Sequence, residues 1–327
     1  MGAASGVNRF WELFWRGDSE ARFRLVTPPA VADNGGLALA ASGTALTVGF
    51  VPSQLLRFTP LALTVDRGAT WTPGVFPGAL ASGPDALATS PSGATAALVG
   101  SGGGTIFERS ATGARWEMLA SAATLATAAK PRCDAPRMTA VAFSSTGTLL
   151  AAGSCKGSGS LALFADGGRG WRRLSSLDPA RSARLATVLL LSRVGTTTFA
   201  LIDLTGAANA VVAAWSSDAG GRWRLSRPLA LAVGTRLLAA GVGYGDAVYV
   251  LSGGQRRSVE LASPTTGSWR ALPAPPAGTA ALATGPAGED ALAATGSTLT
   301  DWRLAPGARR WRRTGSLHVP IQYGSSS

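Results

Sequence analysis

Histidine occurs once, at His318, and that scarcity argues against a Ser-His-Asp triad and a multi-histidine metal site. Tyrosine is confined to Tyr244, Tyr249 and Tyr323, and lysine to Lys130 and Lys156. The net charge of +12 is therefore carried almost wholly by arginine. No apolar run reaches the ~18 residues that a membrane helix requires. The longest candidates, Leu185 to Leu191 and Pro228 to Ala240, are short or broken by Arg236. No long stretch keeps the 3.6-residue period of a helix, and the chain does not open on a basic-then-apolar export signal. Such a start fits either a cytoplasmic protein or one whose export segment precedes this numbering.

The two cysteines are placed suggestively. Cys133 precedes the apolar run Met138 to Ser144, Thr146-Gly147 makes a turn, and Cys155 ends the returning run. In an antiparallel hairpin the two lie within reach of a disulfide, which implies an oxidising compartment. Two buried free thiols are the alternative.

What the chain has in abundance is punctuation: Gly 42 and Pro 19 stand between short runs of alternating apolar residues, a pattern of all-β structure. A turn signal, S/T-x-D-x-G-x-x-W, recurs through these runs. Its full copies carry Asp66, Gly68 and Trp71, and Asp218, Gly220 and Trp223; a third carries Asp166, Gly168 and Trp171 with Phe164 in first position. Weaker copies end at Phe23, Trp116, Trp269 and Trp311, so the seven aromatics are spaced 48, 45, 55, 52, 46 and 42 residues apart. A period in this range marks a repeat architecture, and four short strands per period bury both faces only by stacking on neighbouring sheets. The expectation is a single all-β domain over residues 1–327, a β-propeller of four-stranded antiparallel blades. Each repeat Trp should sit between adjacent sheets, with the Asp and Gly closing the turn from third to fourth strand.

The ends suggest how the ring closes. Residues 10–26 read as two outer strands without inner partners, and 316–323 as an inner strand without outer ones. Joined, they make a seventh blade; six blades is the alternative.

These turns resemble the Asp-box, or BNR, repeats of the sialidase-like propellers. The whole chain is also similar to a family of actinobacterial extracytoplasmic propellers, a likeness carried by the segments Leu25 to Leu37 and Val319 to Ser326. The resemblance implies a secreted or lipid-anchored protein and brings no established activity, because in sialidases the Asp-box turns lie opposite the substrate face. A sialidase would need an arginine trio, a Tyr activated by Glu, and an Asp acid. Here Tyr249 reads as core and Tyr244 as a turn residue. The nearest echo of the family's Arg-Ile-Pro signature, Arg24 to Pro28, falls on an outer strand. No catalytic residue, metal site or cofactor is assigned, and exo-α-sialidase or a related glycoside hydrolase is kept as the competing reading.

Recognition residues concentrate on loops held by a rigid scaffold. On one face fall Arg132, Arg137, Lys156, Arg181 and Arg184, a basic sector from two neighbouring repeats, together with Arg236 and Arg256. They suit an acidic glycan, a cell-wall polymer or an acidic protein, although Asp134 and Asp178 offer ordinary surface ion pairs. Arg172, Arg173, Arg224, Arg270, Arg312 and Arg313 follow the repeat Trp on outer strands, where charge deters edge-to-edge pairing. Nucleic acid is not expected as a partner, because no exposed aromatic platform alternates with them. The overall expectation is a monomeric, non-enzymatic binding or assembly module.

Overall fold

The computed structural model describes residues 13–17, 22–28, 36–51, 60–75, 84–90, 92–100, 104–109, 115–129, 133, 136–144, 147–155, 160–177, 185–205, 209–217, 221–254 and 256–319. Six antiparallel sheets follow one another in chain order, each built by strands that pair with their sequence neighbours. They are the blades of an all-β propeller fold. The first comprises Gly36–Ser42, Ala45–Val51, Pro60–Thr64 and Thr72–Val75; the second Ala86–Thr89, Thr95–Val99, Thr105–Arg109 and Glu117–Ala120. The third comprises Pro136–Phe143, Leu149–Cys155, Leu161–Asp166 and Trp171–Leu177. The fifth contains Arg236–Val242, Val248–Gly253, Arg257–Ala262 and Trp269–Ala271; the sixth Thr279–Gly285, Gly288–Thr295, Thr298–Leu304 and Arg312–His318.

The fourth sheet, Leu185–Val194, Thr197–Thr205 and Ala210–Ser216, has its outer strand split into Arg224–Leu225 and Leu229–Ala230, both paired with Ala210–Ser216. Pro228 explains the break, since it has no N–H to give to a ladder. Ser226 bridges the gap: its N–H donates to the Ala213 carbonyl at 2.8 Å and its Oγ accepts from the Ala213 N–H at 3.0 Å.

Among the described residues there are six blades, not seven. The expected closing strand does not form as such, because Ser316–His318 continue the outer strand of the sixth sheet, in register from Thr298↔His318 to Thr300↔Ser316. Continuing that ladder satisfies these backbone groups at once. The remainder of 316–323 beyond Val319 lies outside the described residues. At the other end, Phe14–Trp15 and Arg24–Leu25 do pair as a hairpin, and among the described residues no further strand joins them.

The chain groups into two compact units, one containing Phe14–Leu25 and the chain from Ala232 onward, the other Leu13 and Val26–Leu231. Within the larger, apolar faces of successive sheets meet in separate clusters. Phe164, Val141 and Leu149 of the third sheet pack with Leu98 and Ile106 of the second, while Leu161 and Leu163 pack with Val188, Ile202 and Val212 of the fourth. Trp116, Trp171 and Trp223 lie where expected, whereas Trp71 packs with Leu46, Val48 and Ala62 of its own sheet. The Trp171 Nε1–H donates to the Leu119 carbonyl of the preceding sheet at 3.2 Å. Trp116 joins Leu61 of the first sheet, and Trp223 borders the cluster of the third and fourth. In the smaller unit, Tyr249, Leu251 and Val259 of the fifth sheet pack with Leu282, Ala291 and Leu304 of the sixth, with Trp311 against them.

Two features escaped the sequence reading. Ala122–Ala129 is an α-helix whose Ser121 Oγ accepts from the Thr124 N–H at 3.2 Å, an N-cap bond, and whose Leu125 and Ala129 are fully buried. The inner strands of four sheets also share a register shift, after Met138, Val188, Leu237 and Thr279. Such bulges increase local twist. At the first of them the Thr139 hydroxyl donates to the Val188 carbonyl at 2.6 Å, tying the inner strands of the third and fourth sheets.

Candidate functional site

The repeat turns are the best-defined polar constructions. At Asp66 the carboxylate accepts from the Thr64 hydroxyl (2.6 Å), the Thr70 N–H (2.9 Å) and the Thr70 hydroxyl (2.5 Å). The Gly68 N–H donates to Thr64 Oγ1 at 2.9 Å. Gly68 has φ 78°, and a Cβ there would lie 2.6 Å from the Val26 side chain, so the position needs glycine twice over. In the third sheet the Gly168 N–H donates to Asp166 at 3.0 Å. The corresponding Asp218 and Gly220 lie outside the described residues.

These bonds commit the Asp66 carboxylate to closing the turn, and they hold it well below its ordinary 3.8, the Thr64 hydroxyl first and Thr70 next. A carboxyl lowered on folding stabilises the fold above its unfolded value, and that contribution disappears as pH falls toward the folded one. The melting-temperature gap between wild type and Asp66→Ala should therefore be widest near pH 5 to 6 and narrow below about pH 4. A gap that stays constant in thermal melts from pH 6 to 2 would refute this role for the carboxylate.

The expected basic face is only partly described. Arg132, Lys156, Arg181 and Arg184, with Asp134 and Asp178, lie outside the described residues. Arg137 is exposed near the start of the inner strand of the third sheet. Beside it Cys133 and Cys155 are joined by a disulfide, with Cα atoms 5.3 Å apart, and both are buried. The hairpin placed them as the spacing suggested: Cys155 is in register with Pro136. Gly153, opposite Met138, allows the two strands to close here, for a Cβ would lie 1.9 Å from the Arg137 carbonyl oxygen.

In the fifth sheet Arg236 and Arg257 flank Gly253 from either side in register, two strands apart and thus about 10 Å between backbones. Arg256 precedes Arg257 in the same turn, and its carbonyl accepts from the Gly254 N–H at 3.2 Å. Arg236 and Arg256 are exposed, and neither has an ion-pair partner among the described residues. Arg257 Nη1 is buried with no hydrogen-bond partner among the described residues. Three arginines thus start from one end of this sheet, and sequence reading had singled out Arg236 and Arg256 for ligand binding.

The residues a sialidase would need are placed differently. Tyr249 is core: its hydroxyl donates to the Leu282 carbonyl at 2.6 Å, and burial pushes its pKa up. Tyr244 is exposed in the short 3-10 turn Tyr244–Asp246. Tyr323 lies outside the described residues. Burial raises Glu260 and Glu289 on the fifth and sixth sheets, and raises Glu108, which also faces the charges of Asp166 and Glu117. Among the described residues there is no group of His, Cys, Asp and Glu able to hold a metal ion, and no helix is long and apolar enough to cross a membrane. The outer-strand arginines Arg172, Arg224, Arg270, Arg312 and Arg313 are exposed and Arg173 is half-buried.

No family model and no curated protein matches the chain. Solved structures do resemble it. A protein assigned as a 6-phosphogluconolactonase from Bacteroides uniformis is similar over 97% of this chain and 94% of its own, with 14% identity and a TM-score of 0.63. A polysaccharide lyase is similar over 96% and 89%, at 10% identity and a TM-score of 0.57. The xyloglucanase of glycoside hydrolase family 74 from Xanthomonas campestris is similar over 84% of this chain, at 17% identity and a TM-score of 0.51. This chain spans about half the length of that enzyme (46%) and of a matching prolyl endopeptidase (48%). At these identities the likeness establishes the class of fold, a β-propeller, and leaves the chemistry to the site.

Proposed function

We propose that this chain is a non-enzymatic, extracytoplasmic binding or assembly module of the sialidase-like propeller type, whose ligand is anionic: an acidic glycan, a cell-wall polymer or an acidic protein. The observation that carries the reading is the trio Arg236, Arg256 and Arg257 at one end of the fifth sheet, with Arg257 Nη1 buried and unbonded among the described residues. Arg236 and Arg256 are exposed and would meet an incoming carboxylate, sulfate or phosphate in the bidentate geometry that a guanidinium prefers, with the buried Arg257 adding positive charge behind them. The Cys133–Cys155 disulfide supports an oxidising compartment, hence secretion or lipid anchoring of the full-length protein. The similarity to a xyloglucanase and a polysaccharide lyase supports a glycan in preference to the other anions.

The test is an array of acidic and neutral glycans probed with wild type and with Arg236→Ala/Arg256→Ala. Selective binding to acidic glycans, reduced about tenfold or more in the variant, is expected, since charge-assisted hydrogen bonds contribute about 1.5–3 kcal/mol each. Unchanged binding would eliminate this trio as the site. A fluorogenic sialoside assayed alongside should show no turnover; turnover abolished by a single Tyr→Phe change would put the glycosidase reading in its place.

A further inference from the structure

A groove of about 610 Å³ opens in the smaller unit, lined by none of the three arginines just described. Trp302, from the third strand of the sixth sheet, and Trp311, just ahead of the outer strand, line it with Arg309, Arg310, Pro273 and Pro276. The walls are rigid. Trp302 is held in register between Ala291 and Arg313 on the flanking strands. The Trp311 Nε1–H donates to the Pro273 carbonyl at 3.0 Å, and Pro273-Ala274-Pro275-Pro276 has most of its φ angles locked by proline rings. Both indoles are half-buried, while Arg309 and Arg310 are exposed with no ion-pair partner among the described residues.

We infer that this groove is a binding site for an oligosaccharide bearing uronate carboxylates. The groove is open to solvent, as a site for a chain-like ligand that enters and leaves along its length must be. Indole faces take the apolar C–H face of a pyranose, and a fixed guanidinium fork takes a carboxylate through two parallel hydrogen bonds. A neutral sugar would satisfy the tryptophans and leave both arginines unanswered. A proline-rich peptide would do the same. A single-stranded nucleic acid offers both stacking and charge, but the disulfide places the protein among extracellular polyanions, a step that rests on the extracytoplasmic reading above. The tryptophan and proline walls are already ordered, so the conformational entropy lost on binding falls mainly on the two exposed arginines.

The experiment is a titration of the whole chain with α-1,4-tetragalacturonate, followed by tryptophan fluorescence, beside maltotetraose and a short single-stranded DNA. Tetragalacturonate should bind at least about tenfold more tightly than maltotetraose, and Arg309→Ala/Arg310→Ala, which changes only exposed side chains, should weaken it at least about tenfold, the scale of one lost charge-assisted bond. Equal affinity of wild type and variant, preference for the DNA, or no binding at millimolar concentration would each overturn the assignment. If Arg236→Ala/Arg256→Ala abolishes tetragalacturonate binding while Arg309→Ala/Arg310→Ala does not, the groove assignment fails and the module reading stands.

Discussion

Replacing Asp301 by Ala is expected to cost about 3–5 kcal/mol of folding stability, the range for breaking a buried ion pair from one side. Asp301 lies on the third strand of the sixth sheet and is 3% exposed. It forms an ion pair with Arg16, beside the first strand of the N-terminal hairpin, and accepts a hydrogen bond from the Thr314 hydroxyl on the outer strand. Arg16 is itself mostly buried, and its guanidinium carbon stands 4.9 Å from the centre of the Phe23 ring. Removing the carboxylate leaves the mostly buried Arg16 cation without its counter-charge, while Thr314, exposed on the outer strand, can turn its hydroxyl to water. The pair is what holds a two-stranded hairpin, marginal by itself, against the sixth sheet. Urea denaturation should show a lower midpoint with Asp301→Ala. The double variant Arg16→Met/Asp301→Leu, which removes both charges and keeps volume, should recover much of the loss. A loss below about 1 kcal/mol in the single variant would mean that the pair is solvated and the hairpin held by other contacts.

Loss of the disulfide ranks second. Cys133 and Cys155 are 22 residues apart in sequence, and a bond closing a loop of that length stabilises by about 3 kcal/mol in the chain-entropy account. Both cysteines are buried in the cluster that joins the second and third sheets, to which Met138 also belongs. Cys133→Ser/Cys155→Ser therefore also introduces two hydroxyls into an apolar cluster, whereas Cys133→Ala/Cys155→Ala isolates the cross-link. The Ala pair should unfold at lower urea than wild type, and dithiothreitol should lower the wild-type midpoint toward it while leaving the variant unmoved. A wild-type midpoint insensitive to reductant after complete reduction, confirmed by thiol titration, would show that the cross-link carries no stability.

Much of the fold was legible because its signals are local. The Thr64–Trp71 turn contains within eight residues most of the donors and acceptors that close it, so its geometry follows largely from its letters. The spacing of Trp71, Trp116, Trp171 and Trp223 told the blade length, since each stands at the start of an outer strand, and Trp116 and Trp171 reach the preceding sheet. The Ala122–Ala129 helix was less visible: eight residues carry only two buried positions, Leu125 and Ala129, too few to establish a period. The split outer strand of the fourth sheet was hidden for a similar reason, because Pro228 marks a break but not that pairing resumes at Leu229.

The sequence alone was sufficient for the all-β class, the four-strand repeat, the hairpin that brings Cys133 to Cys155, and the burial of Tyr249, because each depends on residues near one another along the chain. Tertiary structure decided the blade count, since Ser316–His318 had two ways to satisfy their backbone and took the ladder to Thr298–Thr300. It also decided the Arg16–Asp301 pair and the meeting of Trp302 and Trp311 with Pro273, whose partners stand 285, 29 and 38 residues apart in sequence. No periodicity links such positions. Only the pairing and stacking of whole sheets brings them into contact, and side-chain packing then selects which of the many arginines and tryptophans share a surface.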